Sequence, residues 1–268
     1  MEITSRDNRL IKDYRRLSDD ARFRRENGLF VMEGARLCAD ATQTGIAVRT
    51  AFITERALEQ YPEQTAAVTA AAQTVYTIPD ALARHLADTA SPQGVFCVAV
   101  RPTPIGAVES LPADGRYAAL ETVQDPGNLG TMIRTAEAFG LNGLLLSDGC
   151  CDPYSPKVLR AAMGGVFRLP LYAAGDLTET LPLLSQRGFV SAACVVDADA
   201  EHVQTVAWDR GSIAVIGNEG NGLRPETVAA CSQRVTIPMN GRAESLNASM
   251  AAGIVFWEMV RKGGDARG

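Results

Sequence analysis

From Arg116 to the end of the chain, short apolar segments alternate with helical stretches of about ten residues, and this rhythm restricts the fold to a mostly parallel sheet covered by helices on both faces. The spacing predicts strands at Tyr117–Val123, Gly143–Leu146, Phe167–Tyr172, Phe189–Val196, Ile213–Gly217 and Val235–Met239. Between and after them it predicts helices at Leu129–Phe139, Pro156–Met163, Leu177–Arg187 and Leu246–Arg261. Ligands of such α/β sheets lie at the carboxyl ends of the strands. Each polar turn that follows a strand is therefore a candidate site.

The first hundred residues read as a smaller α/β unit. Residues 5–25 form a helix that is charged on one face and carries Ile11, Tyr14 and Leu17 on the other; Leu29–Met32 is a strand, and another helix starts at Glu33-Gly34-Ala35-Arg36-Leu37. Further strands are expected at Val48–Ile53, Val75–Ile78 and Val95–Val100, with helices at Arg56–Gln60, Glu63–Ala71 and Pro79–Ala87. Two prolines in Arg101-Pro102-Thr103-Pro104-Ile105-Gly106 favour an extended connector. The expected organisation is a domain at 1–100, a linker at 101–115 and a second domain at 116–268.

Composition narrows the function classes. With 46% hydrophobic residues in 268, the chain can bury a sizeable core, and a folded rather than a disordered chain is expected. It has no apolar run long enough to span a membrane and no signal-like N-terminus, so a cytoplasmic protein without membrane partners is expected. The six cysteines are scattered without a C-x-x-C pair and only two histidines accompany them, so neither a metal site nor a disulfide framework is expected; the thiols should be reduced and mostly buried. A net charge of −5 does not suggest nucleic acid, but whole-chain charge hides local patches. Residues 1–36 hold nine basic side chains against seven acidic ones. They read equally well as a phosphate-binding face or as a solvated helix whose acids pair with arginine at helical spacing.

Three turns meet the positional test. In Gln124-Asp125-Pro126-Gly127-Asn128-Leu129-Gly130 a turn leads into a helix, with Asn128 the expected N-cap and Arg134 on the first or second helical turn. In Gly217-Asn218-Glu219-Gly220-Asn221-Gly222 an acid sits among glycines after a buried strand; the absence of a following lysine disfavours a Walker cradle, and a dehydrogenase would need a Gly-rich first turn that is missing here. Glu219 needs hydrogen bonds there, and capping its own loop would supply them. The third turn, Ile237-Pro238-Met239 through Ser245-Leu246-Asn247-Ala248-Ser249, enters a small-residue helix. Without G-x-S-x-G or a nearby histidine, Ser245 orients a partner rather than attacking one.

Taken together and in this order, the three segments resemble the SpoU (TrmH-like) branch of the SPOUT RNA methyltransferases. Ser155-Pro156-Lys157-Val158-Leu159-Arg160-Ala161-Ala162-Met163-Gly164-Gly165-Val166-Phe167 resembles a stretch found in the ribosomal RNA members, and the N-terminal unit is similar to their L30e-like substrate-binding domain. The resemblance implies a C-terminal trefoil knot and S-adenosylmethionine-dependent 2′-O-methylation of a ribose, in ribosomal RNA of the 23S type. A tRNA ribose methyltransferase is the alternative, and a non-catalytic RNA-binding protein of the same fold is a remoter one. By motif position it implies cofactor contacts at Gly217, Asn218, Ile237, Met239 and Leu246, and catalytic roles for Asn128, Arg134, Glu219, Ser245 and Asn247. Arg134 would take the hydroxyl proton or clamp the adjacent phosphate; a free guanidinium, with a pKa above about 12, makes the first role demanding. RNA contacts are expected at Arg6, Asn8, Lys12, Arg15 and Arg36. Family members are homodimers with the site at the interface, and the terminal helix, small at Ala248, Ala251, Ala252 and Gly253, is built for close packing.

Overall fold

The computed structural model describes residues 1–102 and 106–261. The centre of the expected connector, residues 103–105, lies outside them. Two compact units emerge, one formed by Met1–Thr103 together with Asp152–Phe167, the other by Pro104–Cys151 with Arg168–Gly268. The chain thus returns to the first unit in the middle of what the sequence suggested as one C-terminal domain.

The first unit contains α1 (Arg9–Asp19), α2 (Ala21–Asn27), β1 (Leu29–Glu33), α3 (Ala35–Gln43), β2 (Val48–Ile53), α4 (Glu55–Gln60), α5 (Pro62–Ala71), β3 (Thr74–Thr77), α6 (Asp80–Leu86) and β4 (Val95–Val100). Its sheet runs β1-β4-β2-β3, antiparallel at β4 and parallel between β2 and β3. Where one helix was expected over 5–25 there are two, because Asp20 takes an extended conformation and its side chain accepts a hydrogen bond from Phe23 N–H at 3.0 Å. A short acid satisfies free N–H groups better as a cap than inside a helix. The apolar stripe holds: Ile11, Tyr14 and Leu17 are buried, and the Tyr14 ring meets Phe52 and Phe96 edge-on at 6.0 and 5.8 Å.

The returning segment packs where its sequence allows. Phe30 of β1 meets Tyr154 at 5.2 Å and Phe167 at 6.2 Å. Arg24 and Asp152 form a buried pair at 2.8 Å, with Arg24 also donating to the Leu17 and Ser18 carbonyls. Phe167 therefore does not open a strand; Gly165–Phe167 is a single 3₁₀ turn.

The second unit holds β5 (Gly106–Ala107), β6 (Tyr117–Leu120), α7 (Pro126–Phe139), β7 (Gly143–Ser147), β8 (Leu171–Gly175), α9 (Leu177–Gln186), β9 (Val190–Cys194), β10 (Glu201–His202), β11 (Ser212–Ile216), α10 (Pro225–Ala230), β12 (Gln233–Thr236) and α11 (Ala248–Arg261), while α8 (Pro156–Ala162) lies in the returning segment. Its eight strands run β10-β12-β9-β11-β6-β7-β8-β5, and every neighbouring pair is parallel. β11 and β6 sit side by side at the middle, so the loops that leave them emerge together. The expected strand Val235–Met239 ends at Thr236, since Pro238 has no N–H for a ladder. All six cysteines are free; Cys38 and Cys97 are buried and the other four are only partly so, fewer buried thiols than composition suggested.

Candidate active site

Three loops at the carboxyl ends of β6, β11 and β12 converge. Asp125, not Asn128, caps α7: its carboxylate accepts from Asn128 N–H at 2.8 Å, and Pro126 fills the first helical position, where no N–H is needed. The helix therefore begins three residues earlier than expected. Asn128 stands at its third position with its side chain free to act, and Arg134 opens the third turn.

That freed amide is the centre of the site. Asn128 Nδ2 donates to Glu219 Oε1 at 3.2 Å, and Asn128 Oδ1 accepts from Asn247 Nδ2 at 3.1 Å. Glu219 also accepts from Asp125 N–H at 3.0 Å and Gln124 N–H at 3.3 Å, so it caps the α7 loop in addition to belonging to its own. Asn247 fixes the start of α11, its Oδ1 accepting from the N–H groups of Ser249 at 2.9 Å and Met250 at 3.2 Å. The helix accordingly starts at Ala248 rather than Leu246. Asn218 joins the same network through Nδ2, which donates to Thr122 O at 2.8 Å.

Partial burial alone would raise the Glu219 carboxyl. The N–H of its own residue, the Asn128 amide and the Asp125 and Gln124 N–H groups outweigh that and hold it below its ordinary 4.5. A depressed carboxyl contributes stability that is present above its unfolded value and is lost as pH falls through the folded one. The stability difference between wild type and Glu219→Gln, followed by thermal unfolding, should stay level from neutral pH to about 4.5 and close below it. The neighbouring Cys151 thiol, pushed up to about 12 by burial and then by Cys150 and Glu219, stays protonated.

Thr122 has φ 52°, a left-handed conformation in which a β-branched side chain is strained. The turn aims its carbonyl at Asn218. Thr122→Gly should relieve the strain at some entropic cost, a net gain of about 1 kcal/mol, which calorimetry would register as a rise in Tm of roughly 2–4 °C.

Beside the network an apolar cleft of about 90 Å³ is walled by residues that include Cys194, Val203, Val235, Ile237, Met239, Ser245, Leu246 and Val255. Of the residues expected at the cofactor, Ile237, Met239 and Leu246 line it; Gly217 and Asn218 do not. Val203, Val235 and Val255, far apart in sequence, were not anticipated, and nothing in their local pattern separates them from ordinary core. Among the described residues none of 237–245 makes a hydrogen bond within the chain, so this wall offers free main-chain groups beside apolar side chains. That donor set suits a nucleoside held by backbone contacts. Ser245 is exposed at its mouth.

Arg134 is not brought to the network. It is exposed and, among the described residues, has neither a hydrogen bond nor an ion pair. Six residues of helix separate it from Asn128 by about 9 Å along the axis and roughly 120° around it. In the first unit the expected RNA contacts divide. Arg6 and Arg36 are exposed, Asn8 is spent capping α1, Lys12 pairs with Asp7 at 2.8 Å, and Arg15 reaches Asp19 and the Leu86 carbonyl. Arg9–Asp13, Arg16–Asp20 and Arg22–Glu26 are ion pairs at helical spacing, so much of the basic cluster is the solvated-helix alternative.

A family model described as the SpoU rRNA methylase family matches residues 115–257, more than half of the chain and all three converging loops. The chain belongs to the SpoU family. A second model, an MRM3-like substrate-binding domain, matches residues 8–97 of this SpoU protein. It is 31% identical over 97% of its length to an uncharacterized tRNA/rRNA methyltransferase of Synechocystis sp., 93% of which is covered. It is 27% identical over 96% of its length to a 23S rRNA guanosine 2′-O-methyltransferase of Bacillus subtilis, 98% of which is covered. An AdoMet-bound rRNA methyltransferase from Sinorhizobium meliloti has the same fold, with a TM-score of 0.85, 30% identity and 98% of each chain covered. Among the described residues there is no cluster of three or more side chains able to hold a metal ion.

Proposed function

We propose that this SpoU protein transfers a methyl group from S-adenosylmethionine to a ribose 2′-hydroxyl of ribosomal RNA, of the 23S type. The observation that carries the reading is the Glu219–Asn128–Asn247 chain of hydrogen bonds, assembled from three loops beside an apolar cleft with free main-chain groups. The cofactor supplies an electrophilic methyl. The protein supplies position: Ile237, Met239 and Leu246 enclose the nucleoside, Asn128 and Asn247 set the ribose, and Ser245 orients it at the cleft mouth. Incubating the protein with methyl-labelled cofactor and, separately, with ribosomal RNA and tRNA, then mapping the ribose methyl, tests this. Label in tRNA alone would transfer the reading to the tRNA alternative; label in neither would reject it.

We read Arg134 as a phosphate contact rather than a partner of Asn128 in its own chain, a reading supported by its exposure and its lack of an acid partner among the described residues. Leu246, Met250, Ile254 and Trp257 expose apolar surface at or just before α11, which packs on α7 through Gly253 near Thr135 and Trp257 against Phe139 at 5.5 Å. We read this face as the contact of a homodimer with the active site, including Arg134, at the interface, and the C-terminal segment as threaded through a knot. Sedimentation at micromolar concentration should show a dimer, and Trp257→Asp should shift it to monomer. The 1–100 unit serves as the RNA-binding domain, and of the contacts expected there Arg6 and Arg36 are exposed and carry no acid partner among the described residues. No described helix is long and apolar enough to cross a membrane, and we read the protein as cytoplasmic, in keeping with its similarity to a 23S rRNA methyltransferase of Bacillus subtilis.

A further inference from the structure

Glu121 follows β6 directly and only 2% of it is exposed. A buried carboxylate persists only when it is well hydrogen-bonded, and the donors here are specific. Its own N–H donates to the Ile216 carbonyl at 2.8 Å, at the entrance to the glycine loop. Its carboxylate accepts from Arg224 N–H at 2.8 Å and Arg224 Nε at 2.9 Å, at the exit from that loop, and from the Thr227 hydroxyl. Arg224 extends the clamp to Asp176, the cap of α9, at 2.7 Å. Between entrance and exit, Asn218 and Gly222 exchange two backbone hydrogen bonds of 3.0 Å, so the loop is a closed ring. One residue grips both ends of the ring that presents Glu219.

We propose that Glu121 is a positioning residue for methyl transfer, holding Glu219 in register with Asn128 through the clamped ring. This rests on the methyltransferase reading above. Glutamine in its place turns an N–H toward the Arg224 donors, and valine in place of Thr227 removes one donor at nearly constant volume. Neither residue lines the apolar cleft, so cofactor affinity separates positioning from binding.

The test uses the full chain with Glu121→Gln and Thr227→Val. It measures cofactor stoichiometry and affinity by equilibrium dialysis, turnover on ribosomal RNA per cofactor-binding site, and hydrogen exchange at Gly220 and Asn221, whose N–H groups rest on Asn218 Oδ1. Turnover per site should fall roughly tenfold to a hundredfold in Glu121→Gln and severalfold in Thr227→Val, with cofactor affinity unchanged and faster exchange at both amides. Counting turnover per binding site removes the effect of a smaller folded fraction. Turnover per site and exchange both equal to wild type would overturn the proposal, and if Glu121→Gln does not fold, Thr227→Val decides alone. Wild type that binds cofactor but methylates no RNA would instead overturn the methyltransferase reading, and this proposal with it.

Discussion

Arg134→Ala should leave S-adenosylmethionine binding intact and cut methyl transfer roughly a thousandfold, the scale of losing one pre-organised charged group from a reacting site. The side chain is exposed and lies outside the residues lining the apolar cleft, so its removal has no path to cofactor affinity. The two roles for Arg134 separate in the same variant. A phosphate clamp contributes one counterion-releasing contact, so the slope of log affinity for RNA against log salt should become shallower by about 1. A proton acceptor that touches no phosphate would leave that slope unchanged while abolishing turnover. We expect the shallower slope, and substantial residual turnover would remove Arg134 from the chemistry.

Gly217→Ala should be the second severe change. A Cβ at this position would stand 2.2 Å from Gly222 C, 2.4 Å from Leu223 N and 2.5 Å from Gly222 O, all main-chain atoms that cannot swing aside. The ring from Asn218 to Gly222 must then open, releasing Glu219 from Asn128 and from the amides at the start of α7. We expect a loss of about 1–3 kcal/mol of stability from overpacking and a fall of roughly a hundredfold in turnover. Cofactor affinity, measured by dialysis, should change little, because Gly217 is not a wall of the cleft. Loss of cofactor binding together with turnover would instead favour the direct contact that the family motif implies at Gly217.

These expectations depend differently on sequence and on structure. The apolar periodicity is local, and it read the β6–α7–β7 order, the buried face of α1 and the class of sheet directly from neighbouring residues. Boundaries were less legible where a side chain competed with the backbone. Asp20 divided one expected helix into two, Asp125 moved the start of α7 ahead of Asn128, and Pro238 ended β12 early. The return of residues 152–167 to the first unit was not legible at all, since Arg24 and Asp152 are 128 positions apart and each alone is an ordinary charge.

The sequence by itself determined that this protein is a parallel α/β chain with three polar turns of SpoU type, because strand and helix periods and motif spacing are written along the chain. Tertiary structure decided what those turns do to one another. Strand order sets β11 beside β6, which lets Glu219 reach across to Asn128, itself bonded to Asn247, and lets Glu121 bind both ends of the glycine loop that carries Glu219. It also left Arg134 outside that network. Contacts between residues about a hundred positions apart depend on the order of strands in the sheet, and no local period encodes that order.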